Sequence, residues 1–329
     1  MGFEKGRSRV LLPAGVALAM LSACGGGDSG GSGSAGLASS VSVSITDAPV
    51  EDAQGIFIKI TGVAFKPEGS APELVKDFAP RTLNLLEYQQ GRTAVLLDKV
   101  PFEPGRYQWI RLIIESEPNV RDSYAMVNGQ ECELRVPSGA ESGLKLNRGL
   151  TVPAAGSLAL TLDFDLRRSL RAPPGQRSGT AGACTQGYQL RPTIRLVDDA
   201  NVGAFAGTVT FAGGSVPAGC MPKVYVYEGN VTPDDDEDGS AAGPDVDPVT
   251  VIGVVVPEGA TSGTYRAAFL PAGSYTAAFT CGNDDPVADD ALAFTPAGGV
   301  AVTVQNNLIA TQNFSVPVPA AASAPTPSP

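Results

Sequence analysis

Histidine is missing altogether from the 329 residues. Its absence removes the usual general base at neutral pH, the Ser-His and Cys-His nucleophile pairs, and imidazole as a metal ligand. Aromatic residues are scarce at 6%, with Trp at 1 and Tyr at 8, which leaves little material for the ring platforms that sugar sites use. Positive charge is also short, since Lys and Arg total 23 against 34 Asp and Glu, for a formal net charge of −11. Such a polyanion repels nucleic acid phosphates and anionic lipid, so no nucleic acid partner is expected. Divalent cations are its natural counter-ligands. No Cys-x-x-Cys pair occurs, which disfavours zinc and thioredoxin-type chemistry.

A hydrophobic fraction of 43% suffices for packed cores, which argues against global disorder. Gly 39 and Pro 27, without long helical patterns, point instead to many short strands joined by turns.

The first residues carry Lys5, Arg7 and Arg9, then an apolar run from Val10 to Met20 that is too short to span a bilayer. Leu21-Ser22-Ala23-Cys24 follows and resembles the lipobox of bacterial lipoproteins, in which the Cys becomes the lipidated first residue. The resemblance implies a signal peptide over 1–23 and lipidation at Cys24. Gly25 replaces the Asp of an inner-membrane retention signal, which favours the outer membrane of a Gram-negative cell. Residues 24–40 are Gly/Ser-rich and read as a flexible tether. Within it Gly31-Ser32-Gly33-Ser34-Ala35-Gly36 fits a dinucleotide fingerprint but neither follows a strand nor opens a helix, so it is an accident of composition.

Over 41–199 the pattern is that of strands. Val41, Val43 and Ile45 alternate with Ser, as do Ile56, Ile58 and Ile60 with Phe57, Lys59 and Thr61. Leu158, Leu160, Leu162, Phe164 and Leu166 share one face, which sets Thr161, Asp163, Asp165 and Arg167 on the other, expected to face solvent. Ser44-Ile45-Thr46-Asp47-Ala48-Pro49, Pro104-Gly105-Arg106-Tyr107, the stretch Leu134 to Leu144, Leu162-Asp163-Phe164-Asp165 and Tyr188-Gln189-Leu190-Arg191-Pro192 together resemble domain of unknown function 4382. That resemblance implies an extracytoplasmic β-domain and brings no functional residues with it. Ala172 to Gly187, with Cys184, reads as an insertion.

Residues 203–316 supply about seven further short strands and fit a Greek-key sandwich. Pro271-Ala272-Gly273, between Thr264–Leu270 and Ser274–Thr280, reads as a tight hairpin turn. These hairpin residues resemble the transthyretin-like modules called carboxypeptidase regulatory-like domains, which implies support or presentation and no catalysis. Residues 317–329 are Pro/Ala/Ser-rich and are expected to be disordered. The fold class is therefore all-β, with two antiparallel β-sandwich domains (Greek-key, prealbumin/Ig-like) in tandem after a lipidated tether.

Cys132 and Cys184 fall in the first segment, Cys220 and Cys281 in the second. Four Cys allow three connectivities. The split favours Cys132–Cys184 and Cys220–Cys281, each contributing roughly 2–4 kcal/mol in an oxidising compartment.

Asp234, Asp236 and Asp238 occupy positions 1, 3 and 5 of a calcium loop, with Gly239 at position 6, the Ser240 carbonyl at 7 and Asp245 at 12. Calcium is the expected ion if the loop binds one; a solvated acidic turn is the competing reading. A second acidic patch, Asn283-Asp284-Asp285 with Asp289 and Asp290, should lie at the opposite end of the sandwich by strand alternation, which sets it apart from the first site and reads as a solvated loop.

Three functions compete. The leading one is a membrane-anchored, non-enzymatic envelope module for binding or architecture, partnered by the membrane and by an unidentified envelope protein. A glycan-binding lipoprotein is the alternative, with Tyr225 and Tyr227 as a platform, although core packing explains those two better. A hydrolase built on Asp163 and Asp165 comes last, because an exposed pair lacks the environment that raises one carboxyl.

Overall fold

The computed structural model describes residues 39–47, 53–117, 119–136, 143–175, 180–191, 193–235, 246–284 and 290–317. They form strands almost throughout and, from Ser39 onward, one compact unit. Within it lie separate hydrophobic cores. The first runs from Val41 to Leu196 and the second from Phe205 to Phe314.

The first core is enclosed by two sheets. One has the order Ile194–Asp198, Gly156–Phe164, Ser39–Asp47, Ala94–Phe102. The other has nine strands, with Gly55–Pro67 and Gly105–Glu115 at its centre. The alternating aliphatics do what period two requires. Val41, Val43 and Ile45 face inward from one sheet, Ile56, Ile58 and Ile60 from the other, and all six are inaccessible to solvent.

The second core lies between Ser262–Pro271, Val202–Phe211, Ile309–Thr311 and Phe314–Val316 on one side and Thr250–Gly253, Lys223–Glu228, Gly273–Thr280 and Phe294–Val304 on the other. The all-β sandwich architecture read from the sequence is the observed one. Several ladders nevertheless run parallel. Ser39–Asp47 lies parallel to Gly156–Phe164, Tyr188–Leu190 to Gln130–Arg135, and Val202–Phe211 to both closing strands.

Pro271-Ala272-Gly273 is not a hairpin turn. Ser262–Pro271 pairs with Val202–Phe211, whereas Gly273–Thr280 pairs with Lys223–Glu228 and Phe294–Val304, so the chain crosses here from one sheet to the other. Leu270 and Tyr275 both enter the core from either side of the corner. The Tyr275 hydroxyl donates to the Pro271 carbonyl at 2.8 Å. The same device recurs in the first half, where Tyr107 donates to the Glu103 carbonyl at 3.0 Å as the chain passes from Ala94–Phe102 to Gly105–Glu115. In both places a Gly-x-Tyr opens the strand and the buried hydroxyl satisfies a carbonyl freed by the corner.

The final two strands both lie along Val202–Phe211, and between them the chain at Gln312 and Asn313 passes directly over Gly207. The Asn313 side chain accepts from the Thr208 amide at 2.9 Å. A Cβ at Gly207 would run into the Gln312 carbonyl oxygen, whereas one at Gly298 would meet nothing within 4 Å. Gly207→Ala is therefore expected to lower stability by about 1–3 kcal/mol, and Gly298→Ala to stay within about 0.5 kcal/mol of the parent. Urea titration of the two variants checks the difference.

Candidate cation site at the junction of the two sandwiches

Strand Lys223–Glu228 is buried on both faces. Val224 and Val226 point into the second core, while Tyr225 and Tyr227 point away from it and are equally inaccessible. The tyrosines with Val251 form a small outer cluster, packed by Val231, Val246, Leu292 and Phe294. They are core residues, as favoured from the sequence, so no sugar-binding platform exists at this pair. Bulky apolar residues on a sheet's outer face must be covered, and two acidic segments cover them.

The first segment leaves the strand at Glu228 and folds back. The Val231 amide donates to Thr276 Oγ1 at 3.2 Å, the Asp234 amide donates to the Tyr227 hydroxyl at 3.2 Å, and that hydroxyl donates to the Asp234 carbonyl. This brings Asp235 to 4% exposure. The second segment leaves Gly273–Thr280 at Cys281. The Gly282 amide donates to Thr280 Oγ1 at 3.0 Å, and Asp284 is 3% exposed. The segments meet where the Asp290 amide donates to Asp235 Oδ2. Carboxylate oxygens of Asp235, Asp284 and Asp290 then lie within 4.8 Å of one another.

The two acidic segments were expected at opposite ends. They do leave opposite ends, because Lys223 pairs with Thr280 and Glu228 with Tyr275 in the antiparallel register. Their described residues nevertheless pack over the tyrosine face, where Asp234 bonds Tyr227, Asp284 bonds Tyr225, and Asp235 meets Asp290. Strand alternation assigns the exit point of a segment, not its course.

The first sandwich closes the site. Arg167, 4% exposed, donates from Nη2 to Asp284 Oδ2 at 2.5 Å and to the Asp284 carbonyl at 3.3 Å, and from Nη1 to the Tyr225 hydroxyl at 3.3 Å. Its guanidinium lies 5.7 Å from the Tyr225 ring centre. The Tyr225 hydroxyl also donates to Asp284 Oδ2. Burial pushes the Tyr225 hydroxyl well above its ordinary range, Arg167 pulls it back, and Asp284 pushes it up again. Beside this group Arg168 pairs with Asp247, and Gln90 Nε2 donates to the Gly253 carbonyl at 3.0 Å.

Asp284 Oδ2 thus has two donors, while Oδ1 is buried and has no hydrogen-bond partner among the described residues. A buried acceptor left so costs roughly 1–3 kcal/mol, more when charged. Like charges about 4 Å apart repel by about 4 kcal/mol at an effective dielectric of 20. A hard divalent ion would answer both deficits, since it takes carboxylate oxygens and needs no imidazole.

The other sequence-derived site residues fall as follows. Cys132–Cys184 and Cys220–Cys281 are closed as expected. Cys24, Asp236, Asp238, Ser240 and Asp245 lie outside the described residues. Asp234 is described and exposed, and its Oδ1 accepts from the Asp235 amide at 3.2 Å. The solvent face expected for Thr161, Asp163, Asp165 and Arg167 is not observed. Thr161 and Asp163 are buried, and Asp163 pairs with Arg195 directly opposite on Ile194–Asp198. Burial raises the Asp163 carboxyl above its ordinary range against the pull of Arg195. The strand stops at Phe164, Asp165 accepts from the Arg168 amide at 3.2 Å, and the helical turn Leu166–Ser169 rotates Arg167 into the junction. Asp163 and Asp165 are therefore occupied by an ion pair and a helix cap. A polar hollow of about 780 Å³ elsewhere, lined by Asn119, Arg121, Glu131, Glu133 and Thr185, borders Cys184 and includes neither Asp163 nor Asp165.

Sequence reasoning missed Asp235 and Arg167. Asp235 fell between the positions 1, 3 and 5 of the calcium-loop register. The usable signal was apolar residues in supposed loops, namely Val231, Val246 and Leu292.

Residues 38–192 match the family described as Domain of unknown function (DUF4382), the resemblance read from the motifs. No curated protein matches the chain. Among solved structures, the minor pilin GBS52 of Streptococcus agalactiae aligns with 87% of this chain and 100% of its own at 10% identity, with a TM-score of 0.18. The major pilin T-13 of Streptococcus pyogenes aligns with 84% and 97% at 8% identity, with a TM-score of 0.18. At these scores neither likeness bears on function.

Two expectations follow for the junction. Arg167→Ala leaves Asp284 buried without its cation and should cost about 3–5 kcal/mol in denaturant titrations. The folded-state pKa of Tyr225 lies above its unfolded value of about 10, so the native state keeps that proton longer. Stability should therefore be full below pH about 10 and fall as pH rises beyond it. Tyr225→Phe should make that alkaline decline shallower in denaturation measured between pH about 9 and 12.

Proposed function

We propose that the chain is an envelope lipoprotein, anchored through Cys24, that works as a stiff, non-enzymatic binding or structural module outside the cytoplasm. The observation that carries this reading is the pair of disulfides, one inside each sandwich. Such bridges persist in oxidising compartments, which supports export, and the Leu21-Ser22-Ala23-Cys24 motif supports a lipid as the exit ticket's end product. The location proposed is the outer membrane of a Gram-negative cell, with Gly25 in place of the retention Asp.

The bonds across the junction support stiffness. Arg167, Arg168 and Gln90 of the first sandwich all bond to the second, which favours a unit that holds a surface at a distance from the membrane. The second sandwich is proposed as a transthyretin-like support module, and calcium as a stabilising ion of its acidic segments. The partner is an envelope protein or glycan.

Cells expressing the full chain and fed labelled palmitate should incorporate label into it, and a Cys24→Ala variant should incorporate none. Equal labelling, or none in either, would remove the anchor from the proposal. Non-reducing gels of the extracted protein should migrate faster than reduced samples if both bridges form in the cell.

A further inference from the structure

We propose that Asp235, Asp284 and Asp290 bind one hard divalent cation of the calcium type, and that this ion fastens the two acidic segments to the junction held by Arg167. The inference deepens the calcium part of the function proposed above, and it is independent of the lipid anchor.

The ligand set differs from the one that residue spacing suggests. Positions 1, 3 and 5 of the loop register select Asp234, Asp236 and Asp238, whereas the fold turns Asp235 inward and places it against Asp284 and Asp290, residues about fifty positions later in the chain. Three carboxylate oxygens within 4.8 Å can converge on a cation held at the roughly 2.3–2.6 Å that calcium prefers. The independent pointer is Asp284. Its side chain is wholly buried, Arg167 and Tyr225 both act on Oδ2, and Oδ1 is left without a partner. Such an arrangement leaves one oxygen available to an ion while the other holds the orientation of the carboxylate. The chemistry selects a hard ion, since the donors are all oxygens and the chain has no histidine.

This arrangement also gives the ion a mechanical role. Asp235 belongs to the segment after Lys223–Glu228, Asp284 and Asp290 to the segment after Gly273–Thr280, and Asp284 is the residue that Arg167 grips. An ion shared by the three ties the cover of Tyr225 and Tyr227 to the contact between the sandwiches.

Terbium is a suitable probe, because it occupies calcium sites and its emission is sensitised by nearby tyrosine, here Tyr225. The full-length protein in detergent micelles, stripped of metal by chelator, should show tyrosine-sensitised terbium emission that saturates at one ion per chain and is displaced by calcium. Asp290→Asn, at a partly exposed position, should keep the fold by circular dichroism and weaken calcium at least tenfold, as should Asp235→Asn. Asp236→Asn should bind within about threefold of the parent. At the same calcium concentration the melting temperature of the parent should rise more than that of Asp290→Asn. Absence of sensitised emission and of calorimetric heat in the parent would overturn the site. So would full affinity in Asp290→Asn, and loss of binding in Asp236→Asn alone would move the ion to the loop register. Palmitate labelling is read separately, so failure here leaves the anchor standing, and failure there leaves the ion standing.

Discussion

A guanidinium withdrawn from water must be met by a carboxylate and by enough acceptors to replace its hydration, or the fold that buries it does not form. Arg167 meets that demand across the boundary between two sandwiches. Asp284 supplies a side-chain oxygen and a backbone carbonyl, and Tyr225 supplies its hydroxyl and the face of its ring. Because each partner is nearly inaccessible, the group has to be assembled whole. The position of the helical turn Leu166–Ser169, the course of the chain after Cys281, and the coverage of the outer tyrosines all depend on it.

That dependence explains why the second sandwich carries a core on each face of one sheet. Strand Lys223–Glu228 sends Val224 and Val226 one way and two tyrosines the other. Loops rich in aspartate are poor covers for aromatic rings, and the structure resolves the conflict by threading Val231, Val246 and Leu292 among the acids. The acids are thereby pressed together at the rim of an apolar patch, where solvent screening is weak and their mutual repulsion is correspondingly larger. The Cys220–Cys281 bridge lies at the start of one of these segments and fixes where it begins.

Both sandwiches turn corners by the same means. Tyr107 and Tyr275 each follow a glycine by two positions and each hydroxyl reaches the carbonyl four residues earlier. In sequence the two corners look unlike, one opening a long strand and the other resembling a hairpin. What unites them is the requirement that a chain leaving one sheet for the other satisfy its freed carbonyl inside the core.

The sequence alone determined the class of structure and the covalent framework. Period-two aliphatics name the inward residues of Ser39–Asp47 and Gly55–Pro67, because side chains on a strand alternate whatever surrounds them, and the cysteine distribution names both bridges. Tertiary structure alone decided the junction. Nothing local says that the alternation through Asp163 stops at Phe164, that a single helical turn then swings Arg167 out of the expected solvent face, or that segments leaving opposite ends of a sheet meet over its tyrosine face. Local patterns record which face of an element is apolar. They do not record what another part of the chain, over a hundred residues away, brings to the remaining face, and charged groups are buried only where such a partner arrives.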